Sequence, residues 1–265
     1  MAIPTADWDG TTYHRVSEPQ FLWGRAVLAR LELRGDETVL DAGCGSGRLT
    51  AELLERLPGG RVIALDQSPS MLAVAEAELA PRFGDRVSFL QADLLHLDLD
   101  QAADVVFSTA TFHWVLDHPR LFANLHRALR PGGRLHAQCG GGPNLQRIHA
   151  RALRHMQDPD MRASFVRWQT PWEYADAATT HRRLTDAGFV DVATSVEPAP
   201  TLMPDREAFR TFVTAVILRP FLARIDEAAL QQAYLDRICD EAGGDDPPWS
   251  LDYWRLNMAA RRPRL

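Results

Sequence analysis

The sequence predicts an α/β fold, a mostly parallel sheet with helices on both faces, and three observations carry that expectation. Strand-like and helix-like segments alternate from Thr38 to Gln138, as crossover units of a parallel sheet require. A glycine-rich turn joins the first strand to its helix, and prolines stand where helices should begin. Taken in order, Ser17-Glu18-Pro19-Gln20 reads as a capping box opening a helix with an apolar stripe of Phe21, Leu22, Val27, Leu28 and Leu31 that stops at Arg34-Gly35. Strands follow at residues 38–41, 61–65, 87–90, 103–107 and 134–138, with helices at 48–57, 69–80 and 119–129. Pro69 and Pro119 mark two of the helix starts. Residues 177–187 form a helix stopped by Gly188, 190–196 a strand, and 252–259 a last strand in which Trp254, Leu256 and Met258 alternate with polar or small residues.

Residues 140–176 and 200–248 break the alternation. Both are helix-prone and aromatic, with Trp168, Trp172, Tyr174, Phe209, Phe212, Phe221 and Trp249, and they read as insertions or a cap. Gly243-Gly244-Asp245-Asp246-Pro247-Pro248 is the linker-like stretch, and the chain shows no internal repeat.

Composition narrows the function. The 265 residues carry 29 basic and 35 acidic side chains, a formal net charge of −6, so no electrostatic grip on nucleic acid or an anionic bilayer is expected. A small molecule is the expected partner. All 29 basic residues are arginine, which removes lysine Schiff-base chemistry and the phosphate-loop lysine. Cys44, Cys139 and Cys239 are odd in number and far apart, the usage of a reducing cytoplasm rather than of a disulfide framework. Met1–Gly10 lacks a basic region followed by an apolar one, and the longest nearly apolar run, Thr211–Leu218, is far short of a membrane span. A soluble, unexported protein is expected, its oligomeric state left open.

The segment richest in chemistry is Val39-Leu40-Asp41-Ala42-Gly43-Cys44-Gly45-Ser46-Gly47-Arg48, a strand running through a glycine turn into a helix. Glycines permit positive φ and close backbone approach, and free N–H groups at a helix start favour an anionic group, so a nucleotide-like cofactor is expected. The dinucleotide fingerprint needs glycine at position 48, where this chain has Arg48. An NAD-dependent oxidoreductase is therefore disfavoured.

The D-x-G-x-G-x-G pattern resembles the first motif of class I S-adenosylmethionine-dependent methyltransferases, and further motifs arrive in order. Asp66 ends the second strand before Gln67 and Met71, Gln91-Ala92-Asp93-Leu94 matches the adenine-binding turn, and Leu129-Arg130-Pro131-Gly132-Gly133 matches the turn into strand five. The chain is most similar to the trans-aconitate methyltransferase-like group, through Tyr13, Val16, Gln20, Trp23 and Gly24, through Ser108-Thr109-Ala110-Thr111-Phe112-His113-Trp114, and through Gln138-Cys139-Gly140-Gly141-Gly142. Thr109 departs from the Asn usual in that stretch, which puts one polar contact in doubt.

The resemblance implies a Rossmann-like seven-stranded sheet in one methyltransferase domain over 1–265. Within it lie an N-terminal lid helix (1–34), a cofactor-binding core (35–139), helical cap insertions (140–176 and 200–248) and a terminal antiparallel strand (250–260). It implies S-adenosyl-L-methionine bound by Asp41, Gly43, Cys44, Gly45, Gly47, Gln67, Met71, Ser108, His113, Trp114, Tyr13, Gln20 and Trp23. Asp66 would take the ribose hydroxyls, Asp93 the adenine amine, and Leu94 would cover the ring. Taken singly, Asp41 could satisfy turn amides, Asp66 could cap a helix, and Asp93 could be a solvated loop acid.

Methyl transfer needs positioning and exclusion of water rather than a covalent intermediate. His113 is the candidate general base for a phenol or alcohol acceptor; it also reads as a cofactor contact or as packing, and a carboxylate acceptor needs no base. His14, Gln138, Trp168, Trp172 and Arg219 are candidates for the substrate pocket, with Tyr13 and Trp23 on its lid. No metal is expected, because His149 and His155 lie six apart and do not share a helix face. The expected function is transfer of a methyl group to a small molecule, at oxygen and plausibly on a carboxylate. The alternatives are O-, N- or C-methylation of another natural product, or a protein that binds the cofactor without turnover.

Overall fold

A computed structural model describes residues 18–264. Tyr13, His14 and the Ser17 cap lie outside the described residues. The described chain divides into a sheet unit (18–142, 172–197 and 255–264) and a helical unit (143–171 and 198–254). In chain order the elements are α1 (Glu18–Ala29), β1 (Thr38–Ala42), α2 (Arg48–Glu55), β2 (Arg61–Asp66), α3 (Pro69–Phe83), β3 (Val87–Gln91), β4 (Ala103–Thr109), α4 (His118–Ala128) and β5 (Leu129–Gly140). They continue with α5 (Gln146–His155), α6 (Ala177–Asp186), β6 (Val190–Pro198), β7 (Thr201–Leu202), α7 (Arg206–Phe212), a π-helical segment (Val213–Ile217), α8 (Arg219–Leu222), α9 (Ala228–Ala242), β8 (Ser250–Leu251) and β9 (Trp254–Arg261).

Seven strands form one sheet in the order β3-β2-β1-β4-β5-β9-β6. The first five pair in parallel, and β9 runs antiparallel to β5 with Arg255 opposite Gly140. Strand order reverses between β1 and β4, so the connections leaving these two strands diverge and open a crevice at their carboxyl ends.

Alternation along the buried strands builds the two cores. Leu40 and Ala42 face one way with Val106, where Phe122 and Leu125 of α4 and Leu184 of α6 meet them. Val39 faces the other way with Val105 and Phe107, against Leu28 of α1, Leu53 and Leu54 of α2, and Ala75 and Leu79 of α3. A strand covered on both faces must be apolar throughout, and β1 is buried at every position. Helix α1 can approach α2 closely because residue 24 is glycine; a Cβ there would stand 2.2 Å from Leu49 Cδ1. Ser68 caps α3 by accepting from Met71 N–H, and Asp117 caps α4 by accepting from Arg120 N–H, each with proline in the first turn.

Three boundaries differ from the sequence expectation. Helix α1 ends at Ala29 rather than at Arg34-Gly35, because Arg30 and Leu31 N–H close a tighter last turn onto Val27 and Leu28, and Glu37 then collects the Arg34 and Gly35 amides. Strand β5 begins at Leu129, not 134; its pairing with β4 shifts register between Ala103 and Val105, which takes up the Pro131-Gly132-Gly133 irregularity. Strand β9 begins two residues late, because Asp252 is occupied in the helical unit, where its carbonyl accepts from Leu145 N–H and its carboxylate from Arg147 N–H.

In the helical unit Trp168 stacks on Phe221 with ring centroids 4.4 Å apart, and Tyr234 packs beside them while donating its hydroxyl to the Ala152 carbonyl at 2.8 Å. Ion pairs line its rim, with His155 between Asp158 and Glu241 and Arg151 on Asp245. The linker-like stretch 243–248 is a turn inside this unit, between α9 and β8. The unit is also not wholly helical: Thr201–Leu202 pairs antiparallel with Ser250–Leu251. Among the described residues, no helix is long and apolar enough to cross a membrane.

The amino-terminal edge of the sheet is tied by Asp104, whose carboxylate accepts from Thr38 N–H at 2.8 Å and from Arg130 at 2.7 Å. Its side chain keeps 29% exposure, so solvent discounts the pair. Asp104→Ala is expected to lower stability by about 1 kcal/mol in denaturant titration. Cofactor affinity should not change, since the change sits at the edge opposite the glycine turn.

Candidate functional site

The turn from β1 into α2 is a backbone cradle. Gly43 and Cys44 N–H both donate to the Leu65 carbonyl at 2.8 Å, and Gly47 N–H donates to the Cys44 carbonyl at 3.1 Å. Gly43, Gly45 and Gly47 have φ of +86°, +54° and +83°, a region that side-chain-bearing residues rarely adopt. The turn is closed on one side and open on another: a Cβ at Gly43 would meet Thr111 Oγ1 at 2.1 Å, whereas one at Gly45 would meet nothing within 4 Å. Among the described residues no side chain caps α2 at its Ncap residue Gly47.

Two carboxylates flank the turn with different roles. Asp66, at the end of β2, accepts from Gly45 N–H and from Ser68 N–H, each at 2.9 Å, and so joins the glycine turn to the turn before α3. Asp41 lies beneath, 2% exposed, accepting from the Thr50 hydroxyl at 2.7 Å. Burial pushes its pKa up to about 7; the Thr50 hydrogen bond opposes that and the Asp66 charge adds to it. Asp41 therefore braces the turn against α2.

Above α2, Arg48 pairs with Glu18 at 2.8 Å and lies 3.9 Å from the centroid of Phe21. The residue that breaks the dinucleotide fingerprint thus fastens α1 over the turn. Gln20 and Trp23 lie on the same helix, Gln20 buried and Trp23 half-buried.

At the exits of β2 and β3, Gln67 is exposed and Met71 is buried in the first turn of α3. Asp93 accepts from Leu95 N–H and contacts His96 Nδ1, both at 2.9 Å, capping a short 3₁₀ turn while remaining exposed. Leu94 is 5% exposed and packs in the core beside Phe122, and Ser108 donates to the Ala42 carbonyl at 2.6 Å between β1 and β4. Both side chains turn inward beneath the strand exits.

The outlet of β4 carries the aromatic group. His113 is 8% exposed, its ring centroid 5.1 Å from Trp114 and 5.7 Å from Tyr174. Gly140 N–H donates to His113 Nδ1 at 3.3 Å, and Glu173 N–H donates to the His113 carbonyl at 2.8 Å. With the Nδ1 lone pair taken by an amide, the ring proton belongs on Nε2, so the imidazole presents a donor. His118 braces this turn through Nε2 on the Phe112 carbonyl and Nδ1 on Arg183; burial lowers its pKa and keeps it neutral.

Gln138, on the last turn-ward stretch of β5, donates to Asn257 Oδ1 at 2.7 Å and accepts from Arg255 Nε at 3.3 Å. Arg255 in turn lays its guanidinium 4.6 Å from the centroid of Trp23. Trp172 is 9% exposed and meets Trp114 edge-on. The expected residues Asp41, Gly43, Cys44, Gly45, Gly47, Asp66, Gln67, Met71, Asp93, His113, Trp114, Gln138 and Trp172 all fall in the sheet unit, at or just below its carboxyl edge. Trp168 and Arg219 belong to the helical unit, where Trp168 is spent on the internal stack with Phe221. His118, Arg255 and Asn257 were not singled out by the sequence, and Thr111 and Tyr174 stood there only inside a motif and an aromatic segment.

A polar cavity of about 550 Å³ opens at the opposite edge, between Arg34, Glu37, Asp104, Arg130, Arg134 and Arg264. It touches none of the turn residues, and Asp104 and Glu37 partner Arg130 and Arg134. The carboxyl edge, with its glycine cradle and buried polar groups, is the better candidate.

A family model described as a methyltransferase domain matches residues 39–133. Proteins named trans-aconitate 2-methyltransferase match nearly the whole chain: that of Methylobacterium radiotolerans is 31% identical, covering 97% of this chain and 99% of its own. That of Deinococcus radiodurans is 28% identical with 97% and 99% covered. The chain belongs to the class I S-adenosylmethionine-dependent methyltransferases, in the trans-aconitate methyltransferase-like group.

Solved structures share the fold at lower identity. Haemonchus contortus phosphoethanolamine N-methyltransferase 2 superposes with a TM-score of 0.62 at 19% identity, over 96% of this chain and 57% of its own. The [4+2]-cyclase SpnF superposes with 0.60 at 20%, over 92% and 82%. The methyltransferase takes S-adenosylmethionine as its cofactor, and the open face at Gly45 and the Asp66 carboxylate fit a nucleoside lying against the turn.

Asp41 gives this methyltransferase a pH-dependent strain. Its carboxyl is harder to ionise folded, at about 7, than at its ordinary 3.8, so its contribution to stability is full below the lower value and is lost as pH rises through the upper one. Melting temperatures across that window should fall less steeply for Asp41→Asn, which keeps an oxygen for Thr50, than for the parent. Parallel slopes would remove Asp41 as the source.

Proposed function

We propose that this methyltransferase makes a methyl ester on a carboxylate of a small polycarboxylic acid. The relatives named for trans-aconitate supply the acceptor class, and the observation that carries it in this chain is His113. A phenol or alcohol needs a base to remove its proton, but the His113 Nδ1 lone pair is held by Gly140 N–H and Nε2 carries the proton. An ionised carboxylate needs no base.

We assign the cofactor to the Gly43–Gly47 turn with Asp66 on the ribose hydroxyls, Gln67, Met71 and Asp93 along the adenosine, and Gln20, Trp23 and Trp114 across the crevice. When bound, S-adenosylmethionine supplies an electrophilic methyl carbon. The chain's own part is to hold the acceptor oxygen in line and keep water out, which the aromatic ring of Trp114, Trp172 and Tyr174 serves. The segment through α1 acts as a lid. The cytoplasm is the proposed compartment, since Cys44, Cys139 and Cys239 are buried free thiols whose pKa values burial raises.

Asp66→Ala should weaken adenosylhomocysteine binding by about 1.5–3 kcal/mol, the loss of hydrogen bonds to a charged group, in calorimetric titration. Unchanged affinity with an intact circular dichroism spectrum would take Asp66 out of the site.

Methyl transfer to trans-aconitate, followed by mass spectrometry, tests the activity. The product should lose its methyl group in mild alkali, as an ester does and an ether or N-methyl group does not. His113→Gln should keep turnover within about tenfold, and the rate should show no ascending limb near the ordinary imidazole pKa of about 6.5. A loss approaching the roughly 10²–10⁴-fold of an excised general base would restore His113 to that role.

A further inference from the structure

Two carbonyls of the turn that brings His113 and Trp114 out of β4 accept hydrogen bonds that lead back to a single nitrogen atom. His118, 1% exposed in the first turn of α4, meets Arg183 Nη1 with its Nδ1 at 3.0 Å and the Phe112 carbonyl with its Nε2 at 3.1 Å. Arginine has donors only, so Nδ1 accepts, the ring proton is on Nε2, and His118 relays a hydrogen bond from Arg183 to that carbonyl. The same Nη1 donates to Glu173 Oε1 at 2.9 Å, and Glu173 N–H donates to the His113 carbonyl at 2.8 Å. A terminal guanidinium nitrogen carries two hydrogens, one for each branch.

These two carbonyls bracket His113. That of Phe112 lies in the peptide plane before it, and that of His113 lies in the plane after it. Because peptide units are planar, holding both planes sets φ and ψ of His113, and with them the direction in which its side chain leaves the backbone. The Glu173 branch reaches further, because its sequence neighbours pack at the same outlet: Trp172 meets Trp114 edge-on, and the Tyr174 ring centroid lies 5.7 Å from that of His113.

We propose that Arg183 is a positioning residue for methyl transfer, setting the backbone of His113 through His118 and Glu173 and so fixing the aromatic wall on the acceptor's side. The assignment rests on the reading above that the outlet of β4 belongs to the site. The Arg183 and Glu173 side chains keep 26% and 34% exposure, so solvent discounts what their ion pair gives to stability, and the weight of Arg183 falls on geometry. Geometry is what an in-line displacement depends on: a misplacement of about 1 Å can cost about 10²-fold in rate.

The test reads backbone position and turnover separately, on the full chain with its histidine nitrogens isotopically labelled for magnetic resonance. With adenosylhomocysteine bound, wild type should show His118 protonated at Nε2 and bare at Nδ1, and one set of His113 ring signals. Arg183→Met keeps the stem and removes both donors. It should displace or broaden the His113 signals and lower kcat with trans-aconitate about tenfold or more, while adenosylhomocysteine affinity falls less than about threefold. His118→Phe keeps a ring beside Phe122 but relays no bond, so it should move the His113 signals too, and joining it to Arg183→Met should cost less than the product of the two losses. Arg183→Lys, whose ammonium can serve both branches, should recover part of the loss. Asp104→Ala, a loss of stability at the opposite edge, should leave the His113 signals and kcat in place. If Arg183→Met does not fold, the lysine and phenylalanine variants carry the comparison. Unmoved His113 signals in the folded variants, or His118 protonated at Nδ1, would overturn the role of Arg183 even if methyl esters form. Moved signals with kcat unchanged would overturn it as well, leaving Arg183 a structural brace. A wild type that does not methylate trans-aconitate would overturn the acceptor proposed above, and the His113 signals would then decide Arg183 by themselves.

Discussion

The Leu65 carbonyl accepts from two successive amides, Gly43 and Cys44, and this shared acceptor fixes where β1 turns away from β2. Parallel pairing of Asp41 with Ala64 and of Ala42 with Leu65 brings that carbonyl to the turn, and the next residue of β2, Asp66, then lies within reach of Gly45 N–H. The glycine geometry follows from this. Two amides aimed at one oxygen force positive φ at Gly43, and Thr111 fills the space where a side chain would have stood. The cradle and the Asp66 carboxylate beside it are thus consequences of one register in the centre of the sheet.

What the sequence shows of this arrangement follows from how local its causes are. A buried parallel strand needs an unbroken apolar run, a glycine turn needs glycines, and a capped helix start needs Ser68-Pro69 or Asp117 followed by a proline. Each of these is written in adjacent residues, so the strands from β1 to β4, the helices α3 and α4 and the cradle are legible. Boundaries set by distant partners are not. The Arg34-Gly35 stop is superseded by Glu37 collecting two amides, and β9 starts late because Asp252 serves Leu145 and Arg147 more than a hundred residues earlier in the chain. The small ladder of Thr201–Leu202 with Ser250–Leu251 likewise depends on a pairing across some fifty residues that no periodicity announces.

Site residues divide along the same line. The motif positions stand at strand exits because the motif is itself a strand and its exit. Leu94 and Ser108 stand there too, but their side chains turn inward, and which way a side chain turns depends on sheet parity rather than on motif position. Alternation in β9 misleads in the opposite sense. Arg255 and Asn257 occupy the positions that alternate with Leu256 and Met258, and polar residues there normally mean a solvated face. At Arg255 that face is instead buried against Trp23 of α1, and buried polar groups must find partners, as in the line from Arg255 through Gln138 and Asn257 to Ser195.

The two edges of the sheet show how one residue type serves two purposes in a chain without lysine. At the amino edge, Arg130 meets Asp104 and Arg134 meets Glu37, so charge is answered within the protein and the cavity there is lined by ion pairs already made. At the carboxyl edge, Arg255 donates to the Gln138 amide and lies against the Trp23 indole, contacts that restrict its geometry. Partially exposed ion pairs contribute little to stability and attract no further anion strongly, because the field of each cation is offset by its partner. The glycine turn follows β1 and Arg255 lies on β9, with β4 and β5 between them, so the carboxyl edge of one sheet carries both.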